Sequence, residues 1–171
     1  MKINLRRVTT GAVLIAAASA FLFCTGFTKA SDHGNHENGY LKSATYYSDD
    51  WVINFWNSES SHMDEELKQI REDGFNSIIL VVPWREFQPS MAPEHYNDYA
   101  WEKFDRVMKA AKAQDLKVML RVGYTWDYYS SENVLARYEK LLYDSETKKA
   151  WLHYAKRLYE KASAYDNFSG G

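Results

Sequence analysis

Two short apolar runs, set one helix-length apart, constrain this chain more than any other feature. Residues 77–82 read Ser-Ile-Ile-Leu-Val-Val, and residues 117–124 read Lys-Val-Met-Leu-Arg-Val-Gly-Tyr. Both are too short for free-standing helices and are rich in β-branched residues, which predicts parallel strands covered on both faces. Between them Asp98 is placed to cap a helix in which Trp101, Phe104, Val107, Met108 and Ala111 recur on one side. Strand, helix and strand make a βαβ unit. In such a unit the residues just past the carboxyl ends of the strands face the ligand crevice. Those residues are Trp84, Arg85 and Glu86 after the first run, and Tyr124, Trp126 and Asp127 after the second.

The flanking segments extend the same alternation. Residues 51–56, Trp-Val-Ile-Asn-Phe-Trp, read as an earlier strand. Ser61 followed by Asp64 resembles a helix-start box, Met63, Leu67 and Ile70 line one helix face, and Gly74 is placed to end that helix. Past Asp127, residues 134–143 predict a short helix. Residues 147–164 predict a longer one that buries Trp151, Leu152, Ala155, Leu158 and Ala162. Residues 168–171, Phe-Ser-Gly-Gly, read as the lead-in to a further strand.

The amino terminus reads as an address. Lys2, Arg6 and Arg7 precede an almost wholly apolar stretch over residues 11–23, and Thr28-Lys29-Ala30 offers small residues for cleavage. A signal peptide over residues 1–30 is therefore expected, with cleavage after Ala30 and a secreted or periplasmic destination. The apolar stretch is shorter than the ~20 residues of a spanning helix, so no stable membrane anchor is expected after processing. Residues 31–49 are expected to be a flexible leader, and 50–171 the folded part. His33 and His36 in that leader read as solvated side chains, because nothing nearby would fix a coordination geometry. Cys24 is the single cysteine and leaves with the signal, so neither a thiolate metal site nor a thiol nucleophile is expected. A net charge of -2 gives no basis for a nucleic-acid partner. No cofactor and no metal are implied.

An α/β chain of this order fits two architectures. A doubly wound nucleotide-binding sheet wants a glycine-rich turn after an early strand, and neither Asn57-Ser58-Glu59 nor Pro83-Trp84-Arg85 supplies one. The remaining choice is a (β/α)8 TIM-barrel type, of which about the first three βα units are present. A complete barrel takes ~250 residues, or roughly thirty per unit. The chain has 171 residues. The expectation is an amino-terminal portion whose exposed barrel edges favour association.

The run at 51–56, the turn Asp73-Gly74-Phe75-Asn76, the segment Pro83-Trp-Arg-Glu-Phe-Gln-Pro89 and the strand Leu116-Lys-Val-Met-Leu-Arg121 together resemble the first units of retaining glycoside hydrolase barrels, of the cellulase-like and β-galactosidase-like kind. The resemblance implies a carbohydrate substrate. It also implies hydrolysis by two carboxylic acids about 5 Å apart, one a proton donor and the other a nucleophile. In these families the two acids follow the fourth and seventh strands. No catalytic residue is therefore expected among the positions seen here, and the chain is expected to be an inactive fragment, with a carbohydrate-binding protein or a non-functional remnant as the alternatives.

Within that frame the rim residues acquire specific expectations. Trp84 and Trp56 are candidate stacking platforms for a pyranose, against the competing reading of tryptophans plugging the rim. Arg85 and Glu86 are candidate hydroxyl ligands, against simple solvation. Arg121 lies inside an apolar strand, so its guanidinium is expected to face the barrel axis and orient a carboxylate, against a purely structural ion pair. Tyr124, Trp126 and Asp127 follow Gly123 as a candidate sugar subsite, with Asp127 alternatively capping its turn. Aspartates and glutamates are common on such rims, so Glu86 and Asp127 are not taken as the catalytic pair.

Overall fold

Ile78, Leu80, Val118 and Leu120 are all buried in one apolar cluster, and the strands carrying them are the two inner strands of the main sheet. The computed structural model describes residues 40–123 and 137–171. Among these, β1 (Ser43–Tyr46) is followed by a 3-10 turn (Asn54–Asn57), helix α1 (Met63–Glu72) and strand β2 (Ser77–Val81). A short helix α2 (Trp84–Phe87), a two-stranded hairpin of β3 (Ser90–Met91) and β4 (Glu94–His95), and the long helix α3 (Asp98–Ala113) lead to β5 (Lys117–Arg121). Helices α4 (Arg137–Lys140) and α5 (Ser145–Ala162) precede β6 (Phe168–Gly170).

The main sheet has the order β1-β2-β5-β6, and every pairing is parallel. Sequential parallel strands separated by helices are the signature of a barrel being wound, since a doubly wound sheet would reverse its strand order. The α/β class and the partial TIM-barrel architecture are thus present. Residues 168–171 do more than lead into a further strand: β6 is that strand, hydrogen-bonded beside β5 through Val118 N to Asn167 O at 2.8 Å.

Strand alternation sorts the side chains into two faces. Tyr46, Leu80 and Leu120 share one face with Ile78 and Val118, and join the cluster that contains Leu67, Phe104, Val107, Met108, Tyr154 and Leu158 of the helices. On the opposite face the register aligns Ser43 with Ser77 and Lys117, Thr45 with Ile79 and Met119, and Val81 with Arg121. This is the face that a closed barrel turns toward its axis.

The earliest strand lies upstream of its expected position. Residues 51–56 form turns and a 3-10 segment, with Phe55 N bonded to Trp51 O at 3.0 Å and Trp56 N to Ile53 O at 3.3 Å. The reason is legible in burial: Val52, Ile53, Phe55 and Trp56 are buried while Trp51 and Asn54 are exposed, a spacing near three rather than the two of a strand. The actual β1, Ser-Ala-Thr-Tyr, falls inside the expected leader and has little apolar signal. It is held by Ser43 Oγ against Ser77 Oγ at 2.5 Å, and by Asn76, whose side chain accepts from Lys42 N and donates to Tyr40 O, each at 2.8 Å.

Three helix details also differ from expectation. His62, not Ser61, is the residue before α1 and makes no capping bond. Asn97 rather than Asp98 caps α3, accepting from Ala100 N. In α5 the buried positions are Thr147, Tyr154, Leu158 and Ala162, whereas Leu152 is 64% exposed. Gly74 ends α1 as expected: its φ of 83° is open to glycine, and Phe75 N reaches back to Ile70 O at 3.2 Å.

Candidate functional site at the carboxyl ends of the strands

The loops that follow β1 and β2 meet over the carboxyl end of the sheet. Val52 and Ile53, from the first loop, form a small apolar cluster with Val81 at the end of β2. Trp56 Nε1 donates to Val81 O at 2.9 Å, and Tyr154 Oη on α5 donates to the next carbonyl, Val82 O, also at 2.9 Å. Two aromatic residues from different layers therefore satisfy the backbone just where β2 stops pairing. Val82 N remains bonded to Arg121 O at 3.2 Å, which keeps the ends of β2 and β5 level.

Trp56 and Trp84 are core residues, not open platforms. Both are 0% exposed. Trp56 packs edge-on against Phe55 and Phe87 at centroid separations of 5.1 and 4.5 Å. Trp84 lies edge-on to Trp151 at 5.2 Å and stacked near Tyr154 at 6.3 Å, with its Nε1 donating to Gln88 Oε1 at 2.6 Å. An indole with both faces covered and its nitrogen bonded has nothing left for a sugar. The chain enters α2 immediately after the strand, with Pro83 as the residue before the helix and Trp84 as its first residue, packed against α5.

Glu86 is 8% exposed and sits in an amide cradle. Asn57 Nδ2 donates to its carboxylate, Asn97 Nδ2 donates to its backbone oxygen at 3.0 Å, and the two asparagines are joined at 3.2 Å. Burial pushes its carboxyl above the ordinary value, against the lowering influence of Asn57, Arg85 and Arg137. Arg85 is half-buried beside it. The arrangement stiffens the turn between β2 and α3 and can hold a proton on Glu86 longer than a solvated carboxyl would.

Sequence reasoning missed Arg137, because a lone arginine on a short helix carries no pattern. It is 6% exposed, donates to Gln88 O and Pro89 O at 2.6 Å each, and lies 4.9 Å from the Trp84 ring. Burial lowers its pKa to about 10. It locks the segment after α2 against α4. Asn57 and Asn97 were also missed; Asn57 follows the buried pair Phe55 and Trp56, and Asn97 stands before α3 as its cap.

Arg121 is exposed and, by register, lies on the axis-facing side of the sheet beside Val81, at the carboxyl end. Tyr124, Trp126 and Asp127 lie outside the described residues. A groove of about 500 Å³ lined by Glu59, Ser60, Asp64, Lys103, Arg106 and Lys109 lies between α1, α3 and the end of the loop that precedes α1.

No protein-family model matches the sequence, and no curated protein matches it. Solved structures do. A variant of GH5_18 from Bifidobacterium longum subsp. longum, in complex with Manβ1-4GlcNAc, is similar at a TM-score of 0.62 and 20% identity, over 77% of this chain and 32% of that one. GH5_18 from Streptomyces cattleya in complex with GlcNAc is similar at 0.58 and 19%, over 75% and 33%. The exo-β-1,4-mannosidase Op5Man5 from Opitutaceae bacterium strain TAV5 is similar at 0.59 and 18%, over 73% and 22%. The chain therefore spans a third or less of the length of these structures, and what it shares with them is the fold of part of a TIM barrel.

Proposed function

We propose that this chain supplies the first four strands of a glycoside hydrolase barrel and binds a β-linked saccharide where those strands end. The observation that carries the reading is the position of Arg121: a cation on the axis-facing side of a parallel sheet, level with the end of β2, where a barrel of this kind gathers its ligand groups. In this reading Arg121 orients or keeps ionised a carboxylate supplied by another strand. Tyr124, Trp126 and Asp127 line a neighbouring sugar subsite, and Arg85 and Glu86 support it from the adjoining turn.

The chemistry would be retaining hydrolysis, with one carboxylic acid donating a proton to the leaving oxygen and a second attacking the anomeric carbon, about 5 Å away. Both acids belong, in this proposal, to positions other than those described. Glu86 is a poor substitute, since the amide of Asn57 already occupies its carboxylate. That observation also favours a second reading, in which these residues bind saccharide without cleaving it. Export through a signal peptide over residues 1–30 is part of the proposal, and places the substrate outside the cytoplasm.

The ligand of one similar structure, Manβ1-4GlcNAc, and the name of another, an exo-β-1,4-mannosidase, make a β-mannoside the first substrate to try. The test is calorimetric titration of the 171-residue chain with Manβ1-4GlcNAc, alongside an assay on an aryl β-mannoside. Saturable binding without turnover supports the proposal. Robust hydrolysis abolished by Glu86→Gln or Asp127→Asn would overturn the placement of the acids, and no binding of any saccharide would overturn the whole reading.

A further inference from the structure

We propose that Trp51 is a stacking platform for one pyranose ring at the mouth of the site, an inference that rests on the saccharide-binding reading above. Trp56, Trp84 and Trp101 are each at most 4% exposed, yet Trp51 is 59% exposed. The indole thus lies in water, open to a ligand, beside residues that are buried. Its surroundings rule out a loosely held loop. Trp51 O accepts from Phe55 N at 3.0 Å, and the next two residues, Val52 and Ile53, are buried against Val81. On the other side Asp50 accepts a hydrogen bond from Ser58 Oγ across the same loop. The backbone is thus pinned on both sides while the indole projects outward.

The position is specific. The loop runs from the carboxyl end of β1 to the start of α1 and on its way rests on Val81, at the carboxyl end of β2 and the register partner of Arg121. Trp51 therefore stands on the rim of the face that holds the guanidinium, with Tyr47, also exposed, on the same loop. A flat indole presents an apolar surface that matches the CH-bearing face of a pyranose, with its nitrogen at the edge for a hydroxyl. A pinned backbone lowers the ordering cost of that contact. The ligand class is a β-linked oligosaccharide of gluco or manno configuration, whose rings offer such a face.

The experiment uses the full chain labelled with 5-fluorotryptophan and titrated with β-1,4-mannobiose and cellobiose, read by fluorine NMR, the Trp51 signal being assigned with Trp51→Phe. The expected result is a saturable shift of the Trp51 signal with little change at Trp56, Trp84 and Trp101. Calorimetry should show Trp51→Ala weakening affinity at least tenfold and Trp51→Phe at most about threefold. Saturable binding with an unmoved Trp51 signal would overturn this inference and leave the saccharide-binding reading standing. Absence of calorimetric binding by the unsubstituted chain would overturn both. Because the NMR titration uses the native side chain, the result holds even where Trp51→Ala fails to fold.

Discussion

The Tyr154 hydroxyl donates a hydrogen bond of 2.9 Å to the carbonyl of Val82, fastening helix α5 to the point where β2 leaves the sheet. Tyr154 is fully buried, and its ring packs against Trp84, Phe87, Trp101 and Trp151. Helix α5 thereby fixes the start of the turn that carries Arg85 and Glu86.

Tyr154→Phe should keep the ring packing and leave Val82 O without its partner. A buried carbonyl left unsatisfied costs about 1–3 kcal/mol. Urea denaturation should show a lower midpoint with an unchanged slope, and an unchanged midpoint would mean the bond contributes nothing net.

Lys103 offers a pH-dependent test. It is fully buried in α3, donates to Phe55 O and to Ser58 O, and has its pKa lowered to about 8, first of all by burial. Between about 8 and the ordinary lysine value the unfolded chain holds the proton and the folded one has released it. Stability contributed through Lys103 therefore rises with pH in that window. The difference in unfolding free energy between the native chain and Lys103→Met should grow from pH 8 to pH 10, by at most about 1.4 kcal/mol per pH unit. A flat difference would place the proton elsewhere.

Glu86 should show the opposite sign. Its carboxyl is raised by burial, so the stability associated with the protonated form is present at acidic pH and lost as the pH rises through the raised value. Glu86→Gln keeps an oxygen for Asn57 and removes the ionisation. Relative to the native chain, the variant should gain stability between pH 4 and pH 7, as followed by thermal melts at each pH.

Arg137→Lys should destabilise the segment after α2 more than its conserved charge suggests. The guanidinium bonds two successive carbonyls as a fork and lies over Trp84; an ammonium cannot do both. A loss of about 1.5–3 kcal/mol is expected from the charged hydrogen bonds. Hydrogen exchange should then quicken in α2 before it quickens in β2.

Arg121→Ala tests the proposed site without disturbing the core. The side chain is exposed at a strand end, so the unfolding free energy should change by no more than about 1 kcal/mol, the scale of an exposed ionic contact. Saccharide affinity, measured by calorimetry, should fall about tenfold. Loss of stability with unchanged affinity would make Arg121 a structural cation.

The winding of the central strands was legible in the residue pattern. The runs at 77–82 and 117–121 became adjacent parallel strands, and Trp101, Phe104, Val107, Met108 and Ala111 became the buried stripe of α3. These elements announce themselves because a strand covered on both faces must be apolar throughout and a packed helix must repeat its apolar residues every turn. Arg121 was expected on the axis side because a guanidinium inside an apolar run needs a carboxylate or water, and the register puts it on the face opposite Leu120. The fate of the aromatic residues and of the first strand was settled by packing between segments distant in the chain. Trp51, Trp56 and Trp84 are chemically identical side chains near strand ends, and whether each faces water or the helices depends on where the backbone turns, as it does into α2 after Pro83. The short edge strand Ser43–Tyr46 is held by backbone pairing and by Asn76, which leave no mark in its own hydrophobic pattern. Its place in the sheet is set by its neighbour across the gap.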